Sequence, residues 1–304
     1  MSNSLPVNIA NLELRNPTML AAGILGVSGD IMVRVWKSGA GAVVSKSIGL
    51  EARFGYSNPS VVHVGCGLLN AVGLSNPGIR EFAGEIKKVK EADATIIVSI
   101  YGYSPREYLK VAGAAEEYGA DAVELNVSCP HAEGTGSEFG KDPKILREVV
   151  SEVKGGVKIP VIVKLTPNVS DIIEVSEAAV NAGADAITAI NTVRAMAIDV
   201  ETMRPILGNK YGGLSGPAIK PIAIRCVYEV YEEFDVPLIG CGGILDWRDA
   251  GEFILAGASA VQVGSAIVIK GLEIFKSIVE GIKYYLKSRG LSRVEEIVGL
   301  SHRR

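Results

Sequence analysis

The sequence predicts a closed (β/α)8 barrel of the TIM type, and three observations predict it: a helix-to-strand joint repeated four times, eight short apolar runs spread along the chain, and no G-x-G-x-x-G turn after the first of them. The joint reads Gly39-Ala40-Gly41-Ala42-Val43, Gly119-Ala120-Asp121-Ala122-Val123, Gly183-Ala184-Asp185-Ala186-Ile187 and Gly257-Ala258-Ser259-Ala260-Val261. Its glycine suits the left-handed residue that ends a helix, and its small residues let the chain turn tightly into a buried strand. A recurring αβ joint implies recurring β/α units. The missing glycine fingerprint argues against an open dinucleotide-binding sheet.

The strands are expected at 17–21, 42–46, 95–99, 122–126, 160–164, 185–190, 236–240 and 260–264. They are nearly unbroken apolar runs, such as Ile96-Ile97-Val98 and Val161-Ile162-Val163, the mark of parallel strands buried on both faces. Between them lie helical patterns. Tyr108, Val111, Ala112 and Ala115 fall at i, i+3, i+4 and i+7, as do Leu146, Val149, Val150 and Val153. Ser104-Pro105-Arg106-Glu107 reads as a capping box with proline at the first helical position, and Asp142-Pro143 as a similar start. Val7 to Arg15 reads as an N-terminal β-hairpin that caps the barrel bottom. Two connections, about Gly49–Pro77 and Thr192–Gly216, are long enough to be inserted active-site loops. With no linker in view, residues 1–304 are expected to form a single domain, which suits a barrel of roughly 250 residues plus insertions.

Hydrophobic residues make up 48% and charged residues 21% of the 304, and the net charge is −3. That is a globular composition without the basic excess of a nucleic-acid binder. No signal peptide and no apolar stretch of membrane-spanning length is visible, so a cytoplasmic protein is expected. The four cysteines, Cys66, Cys129, Cys226 and Cys241, form no C-x-x-C pair, so no zinc or iron–sulfur site is expected within the chain.

Barrel enzymes place their chemistry at the C-terminal strand ends. Those ends carry Ala22-Gly23, Ser45-Lys46-Ser47, Ser99, Asn126 with Cys129 beyond, Lys164, Asn191-Thr192, Gly242-Gly243 and Gly264-Ser265. A single lysine at a strand end commonly snorkels to solvent; two at one mouth, Lys46 and Lys164, point to an anion. Asn126, Asn191 and Asn70 suit an amide or imide edge of a planar heterocycle, although asparagine also serves turns. The glycines after strands 7 and 8 fall where barrels build phosphate sites from backbone N–H groups. Cys226 fits a buried helix position, whereas Cys129 lies in a loop. There a thiol of ordinary pKa about 8.5 is within reach of general-base work. The Gly-rich stretch 132–141 reads as a loop that closes over a ligand. His131 is as readily an exposed loop residue as a functional one, and Cys66 and Cys241 receive no role.

At these residues the chain resembles class 1 dihydroorotate dehydrogenases, the NAD-linked 1B catalytic subunit most of all, from about Val7 to Ile282. The resemblance rests on Ser45-Lys46-Ser47-Ile48-Gly49-Leu50-Glu51, on Gly67-Leu68-Leu69-Asn70-Ala71-Val72-Gly73-Leu74-Ser75-Asn76-Pro77-Gly78, on Glu124-Leu125-Asn126-Val127-Ser128-Cys129-Pro130, on Ile190-Asn191-Thr192, on Gly212-Gly213-Leu214-Ser215-Gly216-Pro217 and on Gly242-Gly243-Ile244. It implies FMN as cofactor, Cys129 as the base at C5 of dihydroorotate, and Lys46 touching both flavin and substrate. It implies substrate contacts at Asn70, Ala71, Val72, Gly73, Leu74, Asn126, Asn191 and Thr192. Flavin contacts are implied at Ala22, Gly23, Lys46, Ser47, Ser99, Asn126, Lys164, Ile190, Gly216, Gly242, Gly243, Gly264 and Ser265. It further implies a homodimer, and a heterotetramer with a subunit carrying FAD and a [2Fe-2S] cluster that passes electrons to NAD+. Three positions depart from the family: Ser99 for a frequent asparagine, Ser265 for threonine, and Cys129-Pro130-His131 for Cys-Pro-Asn. The last resembles the barrel domain of dihydropyrimidine dehydrogenase and keeps a pyrimidine reductase as the alternative, beside a fumarate-linked class 1A enzyme. A tRNA dihydrouridine synthase and a non-catalytic flavin subunit stand further off.

Overall fold

The structure is a computed structural model, which describes residues 4–128 and 139–303. Cys129, His131 and most of the 132–141 stretch lie outside the described residues. Eight parallel strands close into a barrel: β1 (Thr18–Leu20), β2 (Ala42–Val44), β3 (Ile96–Ile100), β4 (Ala122–Asn126), β5 (Val161–Leu165), β6 (Ala186–Ala189), β7 (Leu238–Cys241) and β8 (Ala260–Val263). Each pairs with its sequence neighbours, and β8 returns to β1. All eight expected strands are present, with no end moved by more than two residues. β2 ends two residues early, and β7 starts two residues late, where Pro237 supplies no N–H and the ladder starts at Leu238.

The helices α1 (Gly29–Lys37), α2 (Ile79–Glu91), α3 (Pro105–Glu117), α4 (Pro143–Gly156), α5 (Ile172–Asn181), α6 (Lys220–Glu233) and α7 (Trp247–Leu255) each follow the strand of the same number. The short α8 (Ala266–Lys270) and the long α9 (Ile274–Ser288) follow β8. Both apolar stripes read from sequence are wholly buried. Asp142 caps α4 by accepting from the Lys144 and Ile145 N–H groups. Ser104 caps α3 as expected, but Glu107 reaches back to the N–H of Tyr103 instead of Ser104.

The repeated joint has a physical basis. Gly39, Gly119, Gly183 and Gly257 all adopt positive φ, from 94° to 123°. In two copies the following aspartate works as a clasp. Asp121 accepts from the N–H of Ile96, the first residue of β3, at 2.8 Å and pairs with Lys90 at the end of α2. Asp185 accepts from the N–H of Val161, the first residue of β5, at 2.7 Å and pairs with Lys154 at the end of α4.

Val7–Ile9 and Leu12–Leu14 form the expected antiparallel hairpin, and Arg15 behind it donates to the Ala40 carbonyl just before β2. That contact sets the hairpin at the end of the barrel where strands begin. At the other end the two long loops do more than cover the mouth. Val61–His63, Leu68–Asn70, Gly212–Ser215 and Val193–Ala195 pair into one antiparallel sheet. Among the described residues no helix is long and apolar enough to cross a membrane.

Candidate active site

A hydrogen-bonded row of side chains crosses the mouth. Ser99 and Ser47 hydroxyls lie 3.0 Å apart, Asn126 Nδ2 donates to Ser47 Oγ at 2.8 Å, and Asn191 Nδ2 donates to Asn126 Oδ1 at 3.1 Å. The row joins the ends of β3, β2, β4 and β6, four separate strands, which only barrel closure brings together. Ser99 is wholly buried, so its hydroxyl supports Ser47 from beneath. Asn191 Oδ1 also accepts from the N–H of Thr192 at 2.8 Å.

Lys46 lies two residues past the end of β2, where its backbone N–H donates to the Gly26 carbonyl at 2.8 Å. Its side chain is half-buried, and burial lowers its pKa from the ordinary lysine value with no anion among the described residues to offset that. It lines a cavity of about 230 Å³ with Val27, Ile48, Ser75, Asn76 and Pro77. A half-buried cation of this kind is a receptor for an anion.

The loop sheet brings the substrate-loop residues to the same mouth. Asn70 Nδ2 donates to the Gly213 carbonyl at 3.1 Å, and a Cβ on Gly213 would lie 2.0 Å from Thr192 Oγ1. Asn70 and Thr192 therefore meet on one glycine. Ala71 to Leu74 are fixed through their backbone. Ala71 N–H donates to the Ser60 carbonyl, Val72 accepts from the Tyr56 N–H, Gly73 accepts from Arg53 Nε, and Leu74 accepts from Asn76 Nδ2. Asn76, which the sequence reading left without a role, also accepts from the N–H groups of Gly49 and Gly78.

On the opposite side of the mouth, Gly216 and Gly243 touch: a Cβ on Gly243 (φ +77°) would lie 2.8 Å from the Gly216 carbonyl oxygen. Ile190 N–H donates to the Cys241 carbonyl beside Gly242, and Gly264 lies against Ala21, next to Ala22 and Gly23. Ser265 precedes the short helix α8. Gly242 and Gly264 after strands 7 and 8 are partly exposed, whereas Gly216 and Gly243 are buried.

Lys164 departs from the expectation of a second cation open to the mouth. It is the fourth of five residues in β5, is 4% exposed, and points inward. Its ammonium donates to Gln262 Oε1 at 2.6 Å and lies 3.7 Å from Glu124 Oε1. Gln262 Nε2 and Thr188 Oγ1 donate to Glu124 Oε2 at 2.5 and 3.0 Å. Burial works against the lysine charge, but Cys241 and Glu124 beside it hold its pKa above the ordinary value. Burial also pushes the Cys241 thiol up, against the pull of Lys164 beside it. Glu124 and Gln262 carried a visible signal, a polar residue inside Val-Glu-Leu and Val-Gln-Val runs, that the sequence reading did not use. Cys226 is buried as expected, its thiol pushed up to about 11 by burial. Among the described residues no three His, Cys, Asp or Glu side chains gather as a metal site.

A closed parallel barrel with its polar groups gathered at the C-terminal strand ends is the architecture of an α/β-barrel enzyme. Residues 4–286 match the family described as dihydroorotate dehydrogenase. The chain is 51% identical over 300 residues to the dihydroorotate dehydrogenase B (NAD(+)) catalytic subunit of Methanothermobacter thermautotrophicus, covering 98% of both chains. It is 50% identical to the subunit of the same name from Pyrococcus furiosus, covering 99% of both. The fold matches that of DHODH from Eimeria tenella, solved with ferulenol, at a TM-score of 0.86 and 22% identity, covering 100% of this chain and 90% of that one. The chain belongs to the dihydroorotate dehydrogenase family, a family of flavin-dependent oxidoreductases.

Proposed function

We propose that this chain oxidises dihydroorotate to orotate in pyrimidine biosynthesis, with FMN as its cofactor. The observation that carries the reading is the mouth itself: a row of amides and hydroxyls, Ser47–Asn126–Asn191, beside the uncompensated cation Lys46. An anionic, planar heterocycle with alternating C=O and N–H groups matches that donor set.

The residues also fit FMN. A phosphate would be held by backbone at Gly216, Gly242, Gly243, Gly264 and Ser265; Gly242, Gly264 and Ser265 are partly exposed, while Gly216 and Gly243 are buried against each other, and a side chain at Gly243 would strike the Gly216 carbonyl. Ala22, Gly23 and Ile190 border that backbone, while Lys46, Ser47 and Asn126 would lie beside the ring, with Ser99 and Lys164 buried beneath them. When bound, FMN supplies the hydride acceptor for C6 of the substrate. The chain's own part is electrostatic and positional. Lys46 binds the substrate carboxylate. Asn70, Asn126, Asn191 and Thr192 read the pyrimidine edge, and Ala71 to Leu74 wall the site. Cys129 takes the C5 proton as the C5–C6 double bond forms.

The names of the relatives support a partner. We place this chain, as a single barrel domain of a cytoplasmic homodimer, in a heterotetramer with a subunit bearing FAD and a [2Fe-2S] cluster, through which electrons reach NAD+. The test is an anaerobic titration of the FMN-loaded chain with dihydroorotate. Bleaching of the flavin absorbance that is lost in Cys129→Ala near neutral pH is the expected result. A flavin that stays oxidised with dihydroorotate overturns the reading; turnover of uracil instead would assign the site to pyrimidine reduction. Fast turnover with fumarate by the isolated chain would overturn the NAD-linked partner alone.

A further inference from the structure

Barrel interiors are normally filled by branched apolar side chains. Here Glu124, Thr188 and Gln262 project inward from β4, β6 and β8 and meet Lys164 from β5, all four between 0% and 4% exposed. Stability does not account for this arrangement. A buried ion pair generally contributes no more than apolar residues of the same volume, and this pair is imperfect. The ammonium and the nearer carboxylate oxygen stand 3.7 Å apart, and that oxygen, Glu124 Oε1, has no hydrogen-bond partner among the described residues. Thr188 holds Glu124 from one side, and Gln262 bridges the two charges.

The position of the quartet gives it a use. Glu124 lies two residues before Asn126 on β4, so it sits one pleat, about 7 Å, beneath the hydrogen-bonded row of the mouth. Lys164 is the registered partner of Asn126 itself. Cys241, which touches Lys164, leads directly into Gly242. The cation is thus held immediately below the mouth, with its counter-charge on the side away from it. A lone ammonium there would act as a full positive charge on whatever occupies the mouth; an ammonium backed by a carboxylate acts as a dipole whose field falls off faster.

We propose that Glu124 is a positioning residue that fixes Lys164 through Gln262 and offsets its charge, and so sets the reduction potential of the bound flavin. The inference rests on the FMN reading above. Glu124→Gln keeps the shape, the acceptor oxygen and the fold of the quartet, and leaves Lys164 uncompensated. The Gln262 carbonyl oxygen that accepts from it and the negative charge that arrives on reduction keep it protonated. The equilibrium between oxidised and reduced flavin moves at least tenfold toward reduced, a rise of about 30 mV for a two-electron couple.

The experiment is a spectroscopic redox titration of the FMN-loaded wild type, Glu124→Gln, Glu124→Asp, Lys164→Met and the Glu124→Gln/Lys164→Met double variant, with FMN affinity measured in parallel. The expected result is a raised potential in Glu124→Gln, most of it restored by Glu124→Asp, which keeps the charge. The double variant should match Lys164→Met, because a buried carboxyl without its cation takes up a proton. Should Glu124→Gln not accumulate as folded protein, that last comparison, whose double variant is again neutral inside, carries the test. An unchanged or lowered potential in FMN-loaded Glu124→Gln, or a double variant unlike Lys164→Met, overturns the inference and leaves the FMN reading standing. A wild-type chain that holds no FMN overturns both.

Discussion

At Gly243 the backbone turns through φ +77° against the Gly216 carbonyl, with Lys220 N–H at 3.0 Å from where a Cβ would sit. Neither neighbour can yield without moving a loop. Gly243→Ala is expected to weaken FMN binding at least tenfold, about 1.4 kcal/mol, as read by quenching of flavin fluorescence. Lys46 carries a second prediction. Burial lowers its pKa below the ordinary value, so as pH rises through that lowered value the ammonium is lost before an exposed lysine would lose its own. Orotate affinity should fall by up to about tenfold per pH unit there, while Lys46→Arg holds its affinity to higher pH. Titration of orotate binding from pH 7 to 11 decides it. The empty chain should show the opposite sense. The folded pKa lies below the unfolded value, so between the two the unfolded state holds more protons and stability contributed at this residue rises with pH. A Lys46→Met variant should therefore melt no lower than wild type at neutral pH.

At the scale of elements, the aspartate clasps explain why the joint recurs. Asp185 holds a strand's first N–H and a helix-terminal lysine at once. Asp185→Ala strands a partly buried N–H and should cost about 1–3 kcal/mol, read as the urea midpoint of the apo chain; Lys154→Met, which removes only a partly exposed pair, should cost under about 1 kcal/mol. The strands and helices were legible because apolar runs and i, i+3, i+4 stripes are local signals. The four repeated joints marked recurring β/α units, and the eight apolar runs gave their count. What was not legible depends on contacts far apart in sequence. Nothing near Lys164 in the sequence announces that Gln262, 98 residues away, takes its proton donor, or that Glu124 turns it from a mouth cation into half of a buried pair. Asn76 was invisible for the same reason: its four hydrogen bonds reach Gly49, Gly78, Leu74 and Tyr101.

Over the whole molecule, two loops separated by more than a hundred residues form one sheet, and the proposed substrate contacts Asn70 and Thr192 converge on Gly213 of its Gly212–Ser215 strand. Gly213→Ala, which sets a Cβ 2.0 Å from Thr192 Oγ1, should raise KM for dihydroorotate at least fivefold, about 1 kcal/mol, with the far-ultraviolet circular dichroism and the flavin spectrum unchanged. Length and loop size announced the two insertions, but their pairing could not be read, because three-residue strands carry too little pattern to fix a register. The ring itself is fastened unevenly. Four residue pairs join β3 to β4, β4 to β5 and β5 to β6, and both clasps lie on that arc, whereas β2 is held by two pairs on each side. A hoop built this way has a seam. Its loosest stave is β2, the one that runs on into Lys46, so hydrogen exchange in the native state should release the β2 amides at a lower opening free energy than those of β3 to β6, and the barrel should first come apart beside its own cation.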